Sequence, residues 1–223
     1  MITAGIDIGS ITAKAAVLNE NHILGTKVVF TGYNAGKAAR TVLDELLQTI
    51  DTAEADIESV VATGYGRNTV AFADKAITEI TCHGAGAHFI DPEVRFIIDV
   101  GGQDSKVIRI NEAGKVLDFA MNDKCAAGTG RFLEVMARAL EVNLDEFGEI
   151  FKNAQNPAKI SSICTVFAES EVISLISKGE SRENIIAGIH ESVASRISAM
   201  ARRVGIVEPV MIDRKSTRLN SSH

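Results

Sequence analysis

Two segments of the chain combine a carboxylate, glycines and hydroxyl groups in a way that is typical of phosphate binding. In GIDIGSITAK an apolar run reaches Asp7, and Gly9, Ser10 and Thr12 follow it. Glycine lets backbone N–H groups come close to phosphate oxygens, and hydroxyl groups add further donors. A carboxylate at this place suits Mg²⁺, which prefers oxygen ligands and keeps several of its waters.

The segment IDVGGQDSK repeats this order of residue types later in the chain. A single Asp-x-Gly turn is a weak signal, because many hairpins contain one for structural reasons. Two such turns at equivalent places predict a pair of loops that hold the phosphates of one nucleotide. Lys14 and Lys106 follow the two turns, and the sequence leaves open whether they neutralise phosphate charge or lie on solvated strand faces. The other candidates in the second segment are Asp99, Gly101, Gly102, Gln103, Asp104 and Ser105.

Two of the three cysteines have matching surroundings. Cys125 precedes AAGTGRFLEVMARAL, and Cys164 precedes TVFAESEVISLISKG, so each is expected at the N-terminus of a helix. The helix dipole there favours anions and lowers the pKa of a thiol, which suits a thiolate or a thiolate-bound cluster. Two ligands cannot complete a four-thiolate site, but a two-fold dimer supplies four. The alternative is that both are buried structural cysteines, which is also the interpretation for Cys82.

Composition excludes several classes of protein. The net charge of −6 argues against a general binder of nucleic acid or of membrane surfaces. No run of about 18 apolar residues is present, so no membrane span is expected. The N-terminus, MITAGIDIGS, lacks the layout of a signal peptide. These features predict a cytoplasmic protein without structural disulfides.

The chemistry-bearing segments are expected to lie on a repeated α/β scaffold. An order of strand, glycine turn, two strands and helix begins at Ile6 and again at Ile97, which predicts an α/β fold with two similar halves. We place the halves at residues 1–92 and 93–213. Helical spacing of apolar residues predicts further helices near 165–178 and 183–204, and VEPVMID is expected to be the last strand. The segments NTVAFADKAITEI and CHGAGAHFI are both expected to be mainly helical.

Six segments together make the chain similar to a known family. It resembles the activators (component A) of 2-hydroxyacyl-CoA dehydratases, in the BadF/BadG/BcrA/BcrD-type ATPase family, which also includes ATPase subunits of benzoyl-CoA reductases. The resemblance covers about residues 3–212 and implies two ribonuclease-H-like domains of the actin and sugar-kinase superfamily, the second of them incomplete. The segments are GIDIGS, ATGYGRN, IDVGGQDSKVI, MNDKCAAGTGRF, CTVFAESEVISLISKG and IIAGIHESVASRI.

The resemblance also implies a function. Members of this family are homodimers with one [4Fe-4S] cluster between the subunits, and its ligands fall on Cys125 and Cys164 of each chain. ATP hydrolysis would drive an electron from reduced ferredoxin or flavodoxin to the dehydratase. In this scheme Asp7 and Asp104 position Mg²⁺ and polarise the attacking water, and Gln103 orients that water.

The end of the chain departs from the family pattern. Residues 214–223, RKSTRLNSSH, are polar and show no periodicity, and we expect a disordered tail of foreign origin. The family continues at this point with a glycine-rich adenosine loop, so weak nucleotide binding is expected here. Two alternatives stay open, namely a small-molecule kinase of the same fold and a non-functional truncated fragment.

Overall fold

The computed structural model describes residues 1–122, 126–161 and 164–213. They divide into two compact units, the first comprising Met1–His83 and the second beginning at Gly84. Each unit contains one mixed β-sheet. In the described part of the chain, no helix is both long enough and apolar enough to cross a membrane.

The sheet of the first unit has five strands in the order β3-β2-β1-β4-β5. Strands β1, β2 and β3 form an antiparallel meander, and β4 runs parallel to β1 with β5 parallel to β4. Alternate residues of β1 and β2 are buried, as their apolar pattern predicts. The strands are β1 (Ile2–Ile8), β2 (Thr12–Asn19), β3 (His22–Phe30), β4 (Ile57–Thr63) and β5 (Lys75–Ala76).

Helix α1 (Ala35–Thr49) covers this sheet. Asn34 caps its N-terminus, because the side-chain oxygen accepts a hydrogen bond from the Lys37 amide at 2.9 Å. Its apolar face is buried, with Leu43 and Leu46 fully enclosed in the core that the helix shares with β1 and β2. The first unit therefore has its own hydrophobic core.

The expectation of a mainly helical segment at residues 68–80 is wrong. A 3₁₀ turn covers Arg67–Thr69, β5 pairs with β4, and the helix begins only at Glu79. Val70 and Phe72 do pack on the core, as apolar residues should, but from irregular backbone. The helix expected from the next segment is confirmed, since α2 spans Glu79–Ile90.

The sheet of the second unit repeats the arrangement of the first, in the order β8-β7-β6-β9. Strands β6, β7 and β8 form an antiparallel meander, and β9 is parallel to β6. The repeated meander with a parallel neighbour confirms the α/β class and the internal repeat, and it matches the ribonuclease-H-like halves of the actin and sugar-kinase superfamily. The strands are β6 (Phe96–Val100), β7 (Ser105–Ile110), β8 (Val116–Asn122) and β9 (Val210–Asp213).

Four helices follow this meander and pack partly on one another. Their shared core includes Phe132, Met136, Val172 and Ile186. Gly188 of the last helix lies so close to Ala158 that an added Cβ would overlap the Ala158 carbonyl oxygen. The two long helices start and end within a residue or two of their predicted bounds. The helices are α3 (Gly130–Ala139), α4 (Phe147–Ile150), α5 (Thr165–Ser177) and α6 (Arg182–Val204).

Candidate functional site

The first candidate phosphate loop is the hairpin between β1 and β2. Asp7 and Lys14 stand opposite each other in the ladder, and Lys14 Nζ lies 2.9 Å from Asp7 Oδ2. The turn is closed by the Gly9 amide, which donates to the Thr12 carbonyl at 3.0 Å. Ser10 at the tip is exposed, so its hydroxyl faces solvent from the turn.

A glycine that the sequence analysis did not single out supports this hairpin. Gly64, directly after β4, has φ +85°, a conformation that suits glycine. A Cβ on it would overlap Asp7 Oδ1 and lie 2.5 Å from the Ile8 carbonyl oxygen. The Gly66 amide donates to that same carbonyl at 2.9 Å. The paired glycines of ATGYG are the signal for this contact, since close backbone approach is a common reason for glycine.

The second candidate loop is the hairpin between β6 and β7, and its charged residues are more deeply buried. Lys106 Nζ lies 3.1 Å from Asp99 Oδ2 and 2.7 Å from Asp104 Oδ1. The side chains of Lys106 and Asp99 are each 1% exposed, against 27% and 23% for Lys14 and Asp7. The solvated-strand alternative is therefore wrong for Lys106, whose ammonium group holds two carboxylates of its own hairpin.

The tip of the second hairpin contacts the start of α3. The Gly130 amide donates to the Gly101 carbonyl at 2.9 Å, and the Arg131 amide donates to the Gly102 carbonyl at 2.8 Å. The first N–H groups of a helix lack partners within the helix, and here the hairpin supplies them. Gln103 at the tip is exposed. This hairpin is therefore both a candidate phosphate loop and a cap for α3.

Side-chain hydrogen bonds hold the residues that follow Cys125 in sequence. Ser105 Oγ donates to the Gly128 carbonyl at 2.6 Å, and Asn122 Nδ2 donates to the Ala127 carbonyl at 2.8 Å. Gly128 has φ +84°. Cys125 itself lies outside the described residues, so its expected place at a helix N-terminus stays a prediction.

Cys164 is the N-cap residue of α5, as the sequence predicts, and it is exposed. Three positions before it in sequence, Ser161 is held by Glu171 on α5, whose carboxylate accepts from the Ser161 amide at 3.1 Å and from Ser161 Oγ at 2.9 Å. An exposed thiol at a helix N-terminus has the chemistry of a thiolate ligand. Cys82, by contrast, is half-buried within α2.

Helix α5 has two apolar faces. Ala168 and Val172 are buried in the helical core. On the other side large apolar side chains are exposed, with Val166 at 66% and Phe167 at 68%. Ile173, at 52%, extends this exposed patch along the helix. Exposed apolar patches of this kind often mark interaction surfaces.

The donor sets on the two hairpins and on α5 fit the groups that the sequence implies. Carboxylates and glycine turns suit a Mg²⁺–nucleotide, because they offer the oxygen ligands and backbone donors that it needs. An exposed thiol beside the positive end of a helix suits an anionic thiolate cluster.

Comparison with known proteins identifies relatives along nearly the whole chain. The activator of lactoyl-CoA dehydratase from Anaerotignum propionicum is 51% identical over 213 residues, which are 95% of this chain and 82% of the relative. Component A of (R)-2-hydroxyglutaryl-CoA dehydratase from Acidaminococcus fermentans has a crystal structure with 46% identity and a TM-score of 0.88, covering 96% of this chain and 83% of that chain.

A second solved structure contains a nucleotide analogue. The activator of 2-hydroxyisocaproyl-CoA dehydratase from Clostridium difficile, with bound ADPNP, is 47% identical with a TM-score of 0.84, covering 96% of this chain and 80% of that chain. The sequence model of one family matches residues 4–213. The chain therefore belongs to the BadF/BadG/BcrA/BcrD ATPase family.

Proposed function

We propose that this protein is the ATP-hydrolysing activator of a 2-hydroxyacyl-CoA dehydratase or of a related enzyme of the benzoyl-CoA reductase type. The relatives at about half sequence identity are activators of such dehydratases, and one of them was solved with ADPNP. The activator transfers one electron from reduced ferredoxin or flavodoxin to the dehydratase. ATP hydrolysis drives this transfer through a change of conformation.

The two hairpins bind Mg²⁺–ATP in this proposal. Asp7 and Asp104 would hold the metal ion and act on the attacking water, and Gln103 would orient that water from the exposed tip of its hairpin. Asp99 anchors Lys106 inside the sheet. Backbone and side-chain donors to the phosphates come from Ser10, Thr12, Lys14, Gly101 and Gly102. The Gly9 amide closes its turn on the Thr12 carbonyl, and buried Lys106 holds Asp99 and Asp104.

The two cysteines that precede helices bind a [4Fe-4S] cluster shared by a homodimer. When bound, the cluster supplies one-electron redox chemistry. Cys164 carries the structural support for this assignment, because it is exposed at the N-terminus of a helix with an uncovered apolar face. A second copy of the chain would cover that face and bring in the remaining two thiolates. Cys125 of each chain is the other ligand.

Anaerobic purification followed by iron and sulfide analysis tests this function. We expect about four iron atoms and four sulfides per two chains, and an EPR signal after reduction by dithionite. Analytical ultracentrifugation should show a dimer. An iron-free chain that transfers phosphate from ATP to an added sugar would instead establish the kinase alternative.

The three cysteines provide a matched control for the ligand assignment. Cys125→Ser and Cys164→Ser should each abolish cluster assembly, since each removes two of four ligands from the dimer. Cys82→Ser makes the same chemical change in α2 and should retain the iron. Loss of iron in Cys82→Ser together with retention in Cys125→Ser would show that the ligands are assigned wrongly.

A further inference from the structure

The two hairpins can be compared residue by residue, because they align without a gap. Asp7 and Lys14 pair across the first ladder as Asp99 and Lys106 pair across the second. In this alignment Ser105 occupies the place of Ala13. Both side chains are buried, at 1% and 0% exposure. A serine is therefore not required by the hairpin itself.

The Ser105 hydroxyl makes its hydrogen bond to a residue outside its own hairpin. It is buried and donates to the Gly128 carbonyl at 2.6 Å. Gly128 follows Cys125 by three positions and precedes α3 by two. The hydroxyl thus joins the second phosphate hairpin to the segment that carries a proposed cluster ligand.

Backbone contacts strengthen the same connection. Gly130 and Arg131 donate to the carbonyls of Gly101 and Gly102. A Cβ on Gly130 would lie 3.2 Å from the Gly102 Cα, so the two backbones are in close contact. Together with the Ser105 bond, three hydrogen bonds connect the hairpin to residues 128–131. A shift of the hairpin must therefore either move that segment or break these bonds.

We propose that Ser105 is a positioning residue that couples the nucleotide state of the second hairpin to the Cys125 segment. This inference rests on the proposed function and goes beyond it, since it reassigns Ser105 from phosphate binding to transmission. Ser105 does not donate to the nucleotide. It holds Gly128 so that a change at the hairpin on binding ATP reaches Cys125.

Alkylation of the cysteines in the cluster-free chain tests the coupling without relying on activity. Mass spectrometry follows the alkylation rate of Cys125. In the wild-type chain we expect ADPNP with Mg²⁺ to change this rate several-fold. Ser105→Ala should lose this change. Ser105→Thr, which keeps a hydroxyl at the same place, should retain it. Ser59→Ala, a serine change in β4 outside both hairpins, should leave the response of Cys125 intact.

ADPNP affinity, measured by calorimetry, separates transmission from phosphate binding. A hydroxyl that donated to a phosphate oxygen would contribute a charge-assisted hydrogen bond, and its loss would weaken binding about tenfold or more. We expect Ser105→Ala to bind ADPNP with nearly wild-type affinity. A tenfold loss, or a full ADPNP response of Cys125 in Ser105→Ala, would overturn the proposal. So would a wild-type chain whose Cys125 does not respond to bound ADPNP.

Two further outcomes are also decisive. Ser105→Ala should keep a cooperative thermal transition by circular dichroism, lowered only by the loss of one buried hydrogen bond, because the first hairpin folds with alanine at this place. A variant without that transition would make the bond a requirement for folding, and the positioning role would be wrong. Iron analysis of the wild-type dimer judges the proposed function separately. A chain that responds to ADPNP but holds no iron would refute the cluster and leave the coupling standing.

Discussion

The buried charge cluster of the second hairpin leads to a quantitative prediction about stability. Lys106 contacts both Asp99 and Asp104, and its side chain is 1% exposed. Lys106→Met keeps most of the apolar stem but removes the ammonium group that both carboxylates contact. Removing one partner of a buried ion pair typically costs about 3–5 kcal/mol, because the remaining charge stays buried with less compensation. We expect a cost in this range.

The first hairpin provides the matched control. Lys14→Met makes the same change at the equivalent ladder position, where the side chains of Lys14 and Asp7 are 27% and 23% exposed. Solvent stabilises a carboxylate there, and ion pairs near the surface contribute about 1 kcal/mol or less. The two variants therefore differ mainly in the burial of the carboxylates.

Urea denaturation of the cluster-free chain, followed by circular dichroism, measures both costs. With a slope of roughly 1.5–2 kcal/mol per molar urea, Lys106→Met should lower the midpoint of the second unit by about 1.5–3 M. Lys14→Met should lower the midpoint of the first unit by about 0.5 M or less. Hydrogen exchange of peptides from the two hairpins assigns each transition to its unit.

A double variant tests the physical reason. Asp99→Leu in the Lys106→Met background removes one of the carboxylates that contacted the ammonium group, and part of the lost stability should return, since apolar replacement of a buried pair is often nearly neutral. Equal midpoint shifts for Lys14→Met and Lys106→Met would refute the argument from burial. An unchanged or lower midpoint in the double variant would show that the destabilisation comes from lost packing and not from the buried Asp99 carboxylate.

Three further predictions concern the remaining parts of the site. Asp7→Asn and Asp104→Asn should each lower the rate of ATP hydrolysis, by about 10²–10⁴-fold if the carboxylate acts on the attacking water. The iron content of both variants should stay unchanged. Wild-type hydrolysis rates in both would refute the assignment of the hairpins. Phe167→Glu should convert the dimer to monomer in ultracentrifugation and reduce the iron content, whereas a stable iron-containing dimer would exclude α5 from the interface. Gly188→Ala should lower the urea midpoint, because overpacking costs about 1–3 kcal/mol of stability. Gly86→Ala in α2 is the control and should not lower it, because nothing lies within 4 Å of the added Cβ.

Much of the fold could be predicted because its patterns are local. An apolar run identifies β1, and helical spacing of apolar residues identifies α5 and α6. Residues 68–80 show the limit of this approach. Val70, Ala73 and Ile77 occur at spacings that suit a helix, but pairing of β5 with β4 and packing on the core determine the backbone there. Such long-range contacts leave no mark in the local sequence.

The candidate site was predictable in position but not in its internal contacts. The hairpin turns are evident from their glycines and carboxylates. The difference in burial between Lys14 and Lys106 could not be predicted, because both follow similar turns and only the surrounding chain decides how much solvent reaches them. The hydrogen bond from Ser105 to Gly128 joins residues 23 positions apart, so it too depends on the fold and could not be predicted from the local sequence. A serine where the other hairpin has Ala13 was the available signal.

Helix α5 links the proposed cluster to the proposed dimer by one physical argument. The apolar residues Ala168, Val172, Leu175 and Ile176 occur at the spacing of one helical face, but the structure buries the first two and leaves Ile176 43% exposed. Val166 and Phe167 add to the exposed side next to Cys164. An apolar patch of this kind is stabilised when covered, by about 25 cal/mol for each Å² removed from water. In a two-fold interface the same patch contacts its own copy, so residues near the axis meet their counterparts. Covering this end of α5 in that way would bring the two Cys164 thiols towards each other, and the interface that hides the apolar side chains would also assemble the ligands.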